Sequence, residues 1–167
     1  ATFNVAVLAD SLDEANETVT LTLSSVSSTA TISDATATLT ITDDDATPSL
    51  SIADVTAANE NATNKTFTVT LSAVAGRDVT VNYATSNGTA TAGDDYTAIS
   101  ATQLTISAGD TTATFNVAVL ADSLDEANET VTLTLSSPSN ATISDATGTL
   151  TITDDDATPS VDFNATS

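Results

Sequence analysis

The sequence predicts an all-β protein built from antiparallel two-sheet sandwiches of about seven short strands in roughly 110 residues. Three observations carry that prediction. Apolar residues alternate with threonine in run after run, a period of two that places one face of a strand on a core and the other in water. The runs are separated by turn chemistry, Asn87-Gly88, Ala92-Gly93-Asp94 and Ala108-Gly109-Asp110. No segment carries sustained helical periodicity; the lone helix-like signal, Ser123-Leu-Asp-Glu126, caps one turn at most.

The chain also repeats itself. ATFNVAVLADSLDEANETVTLTLSS stands at Ala1–Ser25 and again, with all 25 residues matching, at Ala113–Ser137. After a one-residue deletion, Thr31–Ser49 returns as Thr142–Ser160 with Gly148 in place of Ala37. A period of about 111 residues is the size of one β-domain and too long for a solenoid repeat. The expected organisation is the C-terminal half of one repeat at 1–47, a complete repeat at 48–158 and the first strand of another at 159–167.

Taken in order, Ala1–Ala9 alternates with Phe3, Val5 and Val7 on one face, and Thr18–Ser24 follows with Val19, Leu21 and Leu23 inward. Thr36–Thr42 aims Leu39 and Ile41 inward and runs into Asp43, Asp44 and Asp45. Pro48 interrupts any continuing ladder and marks a boundary. The complete unit then reads as strands over Ser49–Asp54, Thr66–Ser72, Asp78–Ser86, Gln103–Ser107, Thr112–Ala121, Thr130–Ser136 and Gly148–Thr153. Their inward positions include Ile52, Phe67, Val69, Leu71, Val79, Val81, Tyr83, Leu104, Ile106, Phe115, Val117, Val119, Val131, Leu133, Leu135, Leu150 and Ile152. The tail PSVDF repeats the opening PSLSI and reads as one more strand, while the 1–47 half-unit lacks its first four strands and should expose an apolar face.

Composition narrows the function. Acids number 23 against Lys65 and Arg77, a net charge of −21, so the surface field repels nucleic acid and anionic membranes and attracts cations. No apolar run approaches the roughly 20 residues of a membrane helix. There is no cysteine and no histidine, which removes disulfide staples, thiol chemistry and the commonest general base. Carboxylate pairs alone suggest a glycosidase, but these acids cluster at a domain end with no sign of a cleft, so no enzymatic activity is expected. A sequence that opens inside a repeat says nothing about a secretory leader.

In a sandwich of this strand order, the loop Ala121–Glu129 and the end of the last strand share one pole, and the Asp94-Asp95 turn reaches it. Carboxylates converge there with no Lys, Arg or His in those stretches to pair with them. Like charges about 5 Å apart repel by roughly 0.8 kcal/mol in water and by several-fold more where solvent is thin. A cation relieves this, and hard carboxylate oxygens without imidazole or thiolate select calcium over zinc or copper.

The segments VTVNYATSNGTATAGDDYTA (Val79–Ala98), DTTATFNVAVLADSLDEANETVTLTLS and ATGTLTITDDD resemble the Calx-beta family, over Pro48–Asp156 and over Ala1–Asp45. The resemblance implies an immunoglobulin-like sandwich with a calcium site at one end. It implies as ligands Asp95, Asp122, Glu126, Glu129, Asp154, Asp155 and Asp156, and in the half-unit Asp10, Glu14, Glu17, Asp43, Asp44 and Asp45. Ala121 stands where the family often has a further acid, and Glu60 is the nearest match to the family's first-loop glutamate, displaced by one with Asn59 in its slot. Fewer or weaker ions follow from both departures.

The expected role is a calcium-stiffened stalk or adhesin spacer in a long extracellular or cell-surface protein, with neighbouring repeats as its partners. The alternative is a subunit of an extracellular filament, in which other copies of the chain complete the half-unit by strand addition. A calcium sensor is a third reading, against which near-identical copies argue.

Overall fold

In the computed structural model the described residues are 2–56, 59–60 and 64–163. Nine strands close a sandwich over Ser49–Ile152: β3 (Ser49–Ile52), β4 (Val55–Thr56), β5 (Asn64–Leu71), β6 (Val79–Asn87), β7 (Thr102–Ile106), β8 (Thr112–Ala118), β9 (Glu129–Ser139), β10 (Thr142–Ile143) and β11 (Thr147–Ile152). Ahead of them stand β1 (Glu17–Thr22) and β2 (Thr36–Ile41), which among the described residues pair only with each other.

One sheet of the sandwich runs β10-β3-β5-β8 and the other β4-β11-β9-β6-β7. The seven expected strands are all present with ends shifted by a few residues, and two short ones join them. The chain leaves β3 in the first sheet and reappears as β4 in the second, where β4 runs parallel to β11. Asp54 anchors that switch by accepting a 2.7 Å hydrogen bond from Thr149 N.

Alternation places the core. β5 buries Phe67, Val69 and Leu71, β8 buries Phe115 and Val117, β9 buries Val131, Leu133 and Leu135, and β11 buries Leu150 and Ile152, with threonine on the wet faces. Every inward position expected in the complete unit is buried except Tyr83 and Leu104, which are half-buried. Aromatics are few, and three of them tie the sheets together. Phe67 stands opposite Phe115 in the β5–β8 ladder with ring centroids 5.6 Å apart, and Tyr83 of the other sheet stacks on Phe115 at 3.9 Å. Such contacts add about 0.5–1.5 kcal/mol beyond area burial.

Two expectations fail, and for one reason. Residues 2–9 form no strand, although the identical residues 114–121 supply most of β8. In the second copy β8 lies against β5, whereas the first copy has no counterpart of β5 beside it, so its ladder has nothing to bond. The tail strand fails likewise: Val161 and Phe163 are fully exposed and residues 159–163 are irregular; residues 164–167 lie outside the description. The helical turn at Ser123–Glu126 is also absent, because Asp122 spends its carboxylate on Leu124 N at 2.7 Å in a turn of its own. Where the partner does exist, the copies agree: Glu17 pairs with Ile41 as Glu129 pairs with Ile152.

Candidate metal centre

The acidic loop is stitched by three bonds that recur in both copies. Asp122 accepts from Leu124 N (2.7 Å), Asp154 accepts from Glu126 N (3.2 Å), and Asp154 N donates to Asn128 Oδ1 (3.1 Å). In the first copy Asp10 accepts from Leu12 N (2.9 Å), Asp43 from Glu14 N (3.2 Å), and Asp43 N donates to Asn16 Oδ1 (2.9 Å). The loop geometry is therefore local to these residues and independent of the rest of the sandwich. Sequence reasoning passed over Asn16 and Asn128; their signal was an amide set within an otherwise carboxylate-rich loop.

Asp95 reaches the pole on a built turn. Its carboxylate accepts from Thr91 N at 2.6 Å, and Gly93, at φ +99°, turns the chain so that its N–H donates to Tyr96 O at 2.9 Å. Tyr96 is buried, as a core or loop anchor should be, and its hydroxyl donates to Asn87 Oδ1 at 2.7 Å.

Carboxylate oxygens then gather in two groups, each with its members within 4.8 Å of one another: Asp95 with Glu126 and Glu129, and Glu60 with Asp122 and Asp156. Glu60, the displaced first-loop residue, is only 6% exposed and does reach the cluster. Asp154 belongs to neither group, but after burial its charge is among the causes that raise Glu60, Glu126 and Asp156. Asp155 is exposed and belongs to neither group, though it repels Asp156.

The charge strain is visible in the protonation of the pole. Partial burial first, then a hydrogen bond and repulsion from Asp95, push the Glu129 carboxyl up to about 7. Burial and the surrounding acids also raise Glu60, Glu126 and Asp156. The first copy behaves alike: Glu14 is raised by desolvation and by Asp10, Glu17, Asp43 and Asp45, and Asp45 by desolvation and by Asp43 and Asp44. There Asp10, Glu14, Glu17, Asp43, Asp44 and Asp45 line an open cleft of about 530 Å³ together with Val7, Leu8 and Ile41. Among the described residues no three-carboxylate group forms in that copy, which holds no counterpart of Asp95 or Glu60.

One acid of the loop does something else. Asp13, 3% exposed, takes a forked ion pair from Arg77, with Nη2 at 2.9 and 3.0 Å and Nε at 3.2 Å. Arg77 lies in the β5–β6 turn, so this pair joins the first copy to the sandwich that follows. Its signal in the sequence was scarcity: an arginine in a chain with 23 acids finds a carboxylate.

The fold has known counterparts. The Calx-beta domain family matches residues 1–45 and 43–156. Among solved structures, the apo form of the Calx CBD1 domain is 23% identical with a TM-score of 0.61, covering 66% of this chain and all of that one. CBD12 from CALX1.2 is 24% identical with a TM-score of 0.59, and the calcium binding domain CBD12 of CALX1.1 is 25% identical with a TM-score of 0.59. Each covers 64% of this chain, which spans 44% and 46% of their respective lengths. No curated protein matches the sequence. With the family matched along nearly the whole of its length, the chain belongs to the Calx-beta domain family.

Proposed function

We propose that this chain binds calcium at the acidic end of its sandwich and acts as a calcium-stiffened, non-catalytic spacer in a tandem array. The array consists of half a repeat at 1–47, a complete repeat at 48–158 and the opening of another from 159, within an extracellular or cell-surface protein. One observation carries the reading: two groups of three carboxylates, within 4.8 Å in each group, at the point where the sandwich ends and the connecting segment begins. Oxygen-only donors suit calcium, and a solved relative is itself described as a calcium binding domain.

Asp95, Glu126 and Glu129 would hold one ion, and Glu60, Asp122 and Asp156 a second, with Asp154 adding its charge to the pole. In the half-unit Asp10, Glu14, Glu17, Asp43, Asp44 and Asp45 are the matching acids. A bound ion supplies the positive charge that the pole lacks. Asp154 is already tied to the loop through Glu126 N and Asn128, so neutralising its neighbours locks the root of the connector. Calcium is abundant outside cells, which is where such a lock would be closed. Small-angle scattering of the full chain tests the stiffening: calcium should lengthen the particle's maximum dimension and narrow its distribution relative to chelator, and identical profiles overturn it.

A second reading, assembly between chains, is favoured by the apolar residues that the first copy and the tail leave in water, Phe3, Leu8, Leu23, Val161 and Phe163. Sedimentation over a range of concentrations decides it, since a filament subunit associates and a spacer stays monomeric.

A further inference from the structure

The chain contains one loop sequence in two states. Ser11-Leu-Asp-Glu14 and Ser123-Leu-Asp-Glu126 are identical and carry the same internal bonds. The first is docked: Asp13 is buried against Arg77, Asp13 O accepts from Gly76 N at 3.1 Å, and Asp13 bridges Ala75 as a parallel pair. Thr47 closes the contact with a 3.3 Å bond from its hydroxyl to Asp13 Oδ1. Gly76 lets the two segments approach closely, since a Cβ on it would displace the Glu14 side chain. The second is bare: Leu124 is 60% exposed, and Asp125 and Glu126 are exposed as well.

We propose that the Leu124–Glu126 loop is a docking surface for the Ala-Gly-Arg turn of a further repeat of this same protein, in the manner in which Leu12–Glu14 receives Ala75-Gly76-Arg77. The loop already holds the docked conformation, so docking costs little ordering entropy. Asp125 stands where Asp13 does, and Thr158 where Thr47 does. The partner chemistry is narrow: a glycine for close approach, beside an arginine whose planar fork matches one carboxylate. Each repeat would thus carry a turn at one end and a receptor at the other, and the array would propagate with one polarity. The inference rests on the tandem-array reading and is independent of calcium.

Because the chain contains no cysteine, a single introduced thiol reports burial cleanly. The test compares labelling of Leu124→Cys in the present chain with labelling in a chain whose residues 160–167 are replaced by a copy of residues 49–160, a unit that closes its own core and follows Pro159 as Ser49 follows Pro48. Both are run in chelator, so that ion binding does not enter. Lengthening should slow the reaction about tenfold, and replacing the appended turn's arginine by alanine should restore it. Glu126→Cys serves as a second reporter in case position 124 itself carries the contact, since Glu14 is half-buried in the docked copy and Glu126 is exposed. In the present chain Arg77→Ala should likewise quicken labelling of Leu12→Cys. Equal rates at both reporters in the short and lengthened chains overturn the proposal.

Discussion

Arg77 and Asp13 stand 64 residues apart in sequence and meet in a forked ion pair that buries the carboxylate to 3% exposure while leaving the guanidinium side chain 36% exposed. The asymmetry makes the two deletions unequal. Arg77→Ala strands a buried charge and should weaken the junction by about 2 kcal/mol. Asp13→Ala leaves an arginine that reaches water and should weaken it by about half as much. Equilibrium unfolding of both variants and the double mutant measures the difference.

The identical segments 2–9 and 114–121 should differ in protection although they share every residue. In the second copy β8 lies in a sheet, while in the first the same residues are irregular and exposed. Limited digestion with elastase should therefore cut within 2–9 well before 114–121, and fragment masses with N-terminal sequencing will show which copy was cut.

The turn that carries Asp95 hangs on the buried Tyr96 hydroxyl and its 2.7 Å bond to Asn87. Tyr96→Phe should cost about 1 kcal/mol of stability, measured by urea unfolding. It should also loosen the Asp95–Glu129 group and lower calcium affinity several-fold.

Stability in chelator should fall as pH rises. Glu129 is raised above the ordinary glutamate value to about 7, so its protonated form is the one the folded state prefers. That contribution is complete below the unfolded value near 4.5 and is lost as pH climbs through about 7. Glu14, Asp45, Glu60, Glu126 and Asp156 are raised too and act with the same sign. Melting midpoints in chelator should be higher at pH 5 than at pH 8, and excess calcium at pH 8 should reverse the order, since the ion replaces the proton.

What was legible in the sequence was whatever depends on period and local spacing. Alternation placed Phe67, Val117, Leu133 and Ile152 on the core face, and the clustering of acids placed Glu126, Glu129 and Asp156 at one end. What was illegible depends on a neighbour. Nothing inside ATFNVAVLA says whether a β5 lies beside it, so the same letters gave a strand once and a loose segment once. Asp13 and Asp125 are likewise indistinguishable as letters; only the turn that reaches one of them makes it structural. The Ser123–Glu126 capping pattern came to nothing because Asp122, just ahead of it, takes Leu124 N into a tighter turn.

The claim on which the rest depends is that the carboxylates at this pole are held together to be neutralised by calcium. Isothermal titration of calcium into the full chain at pH 7.5, wild type against the double variant Asp122→Asn with Glu129→Gln, addresses it directly. Saturable binding with a Kd of about 10⁻⁴ M or tighter, weakened at least tenfold in the variant, is the expected result. No saturable heat in the wild type, or an affinity that ignores both substitutions, would contradict it.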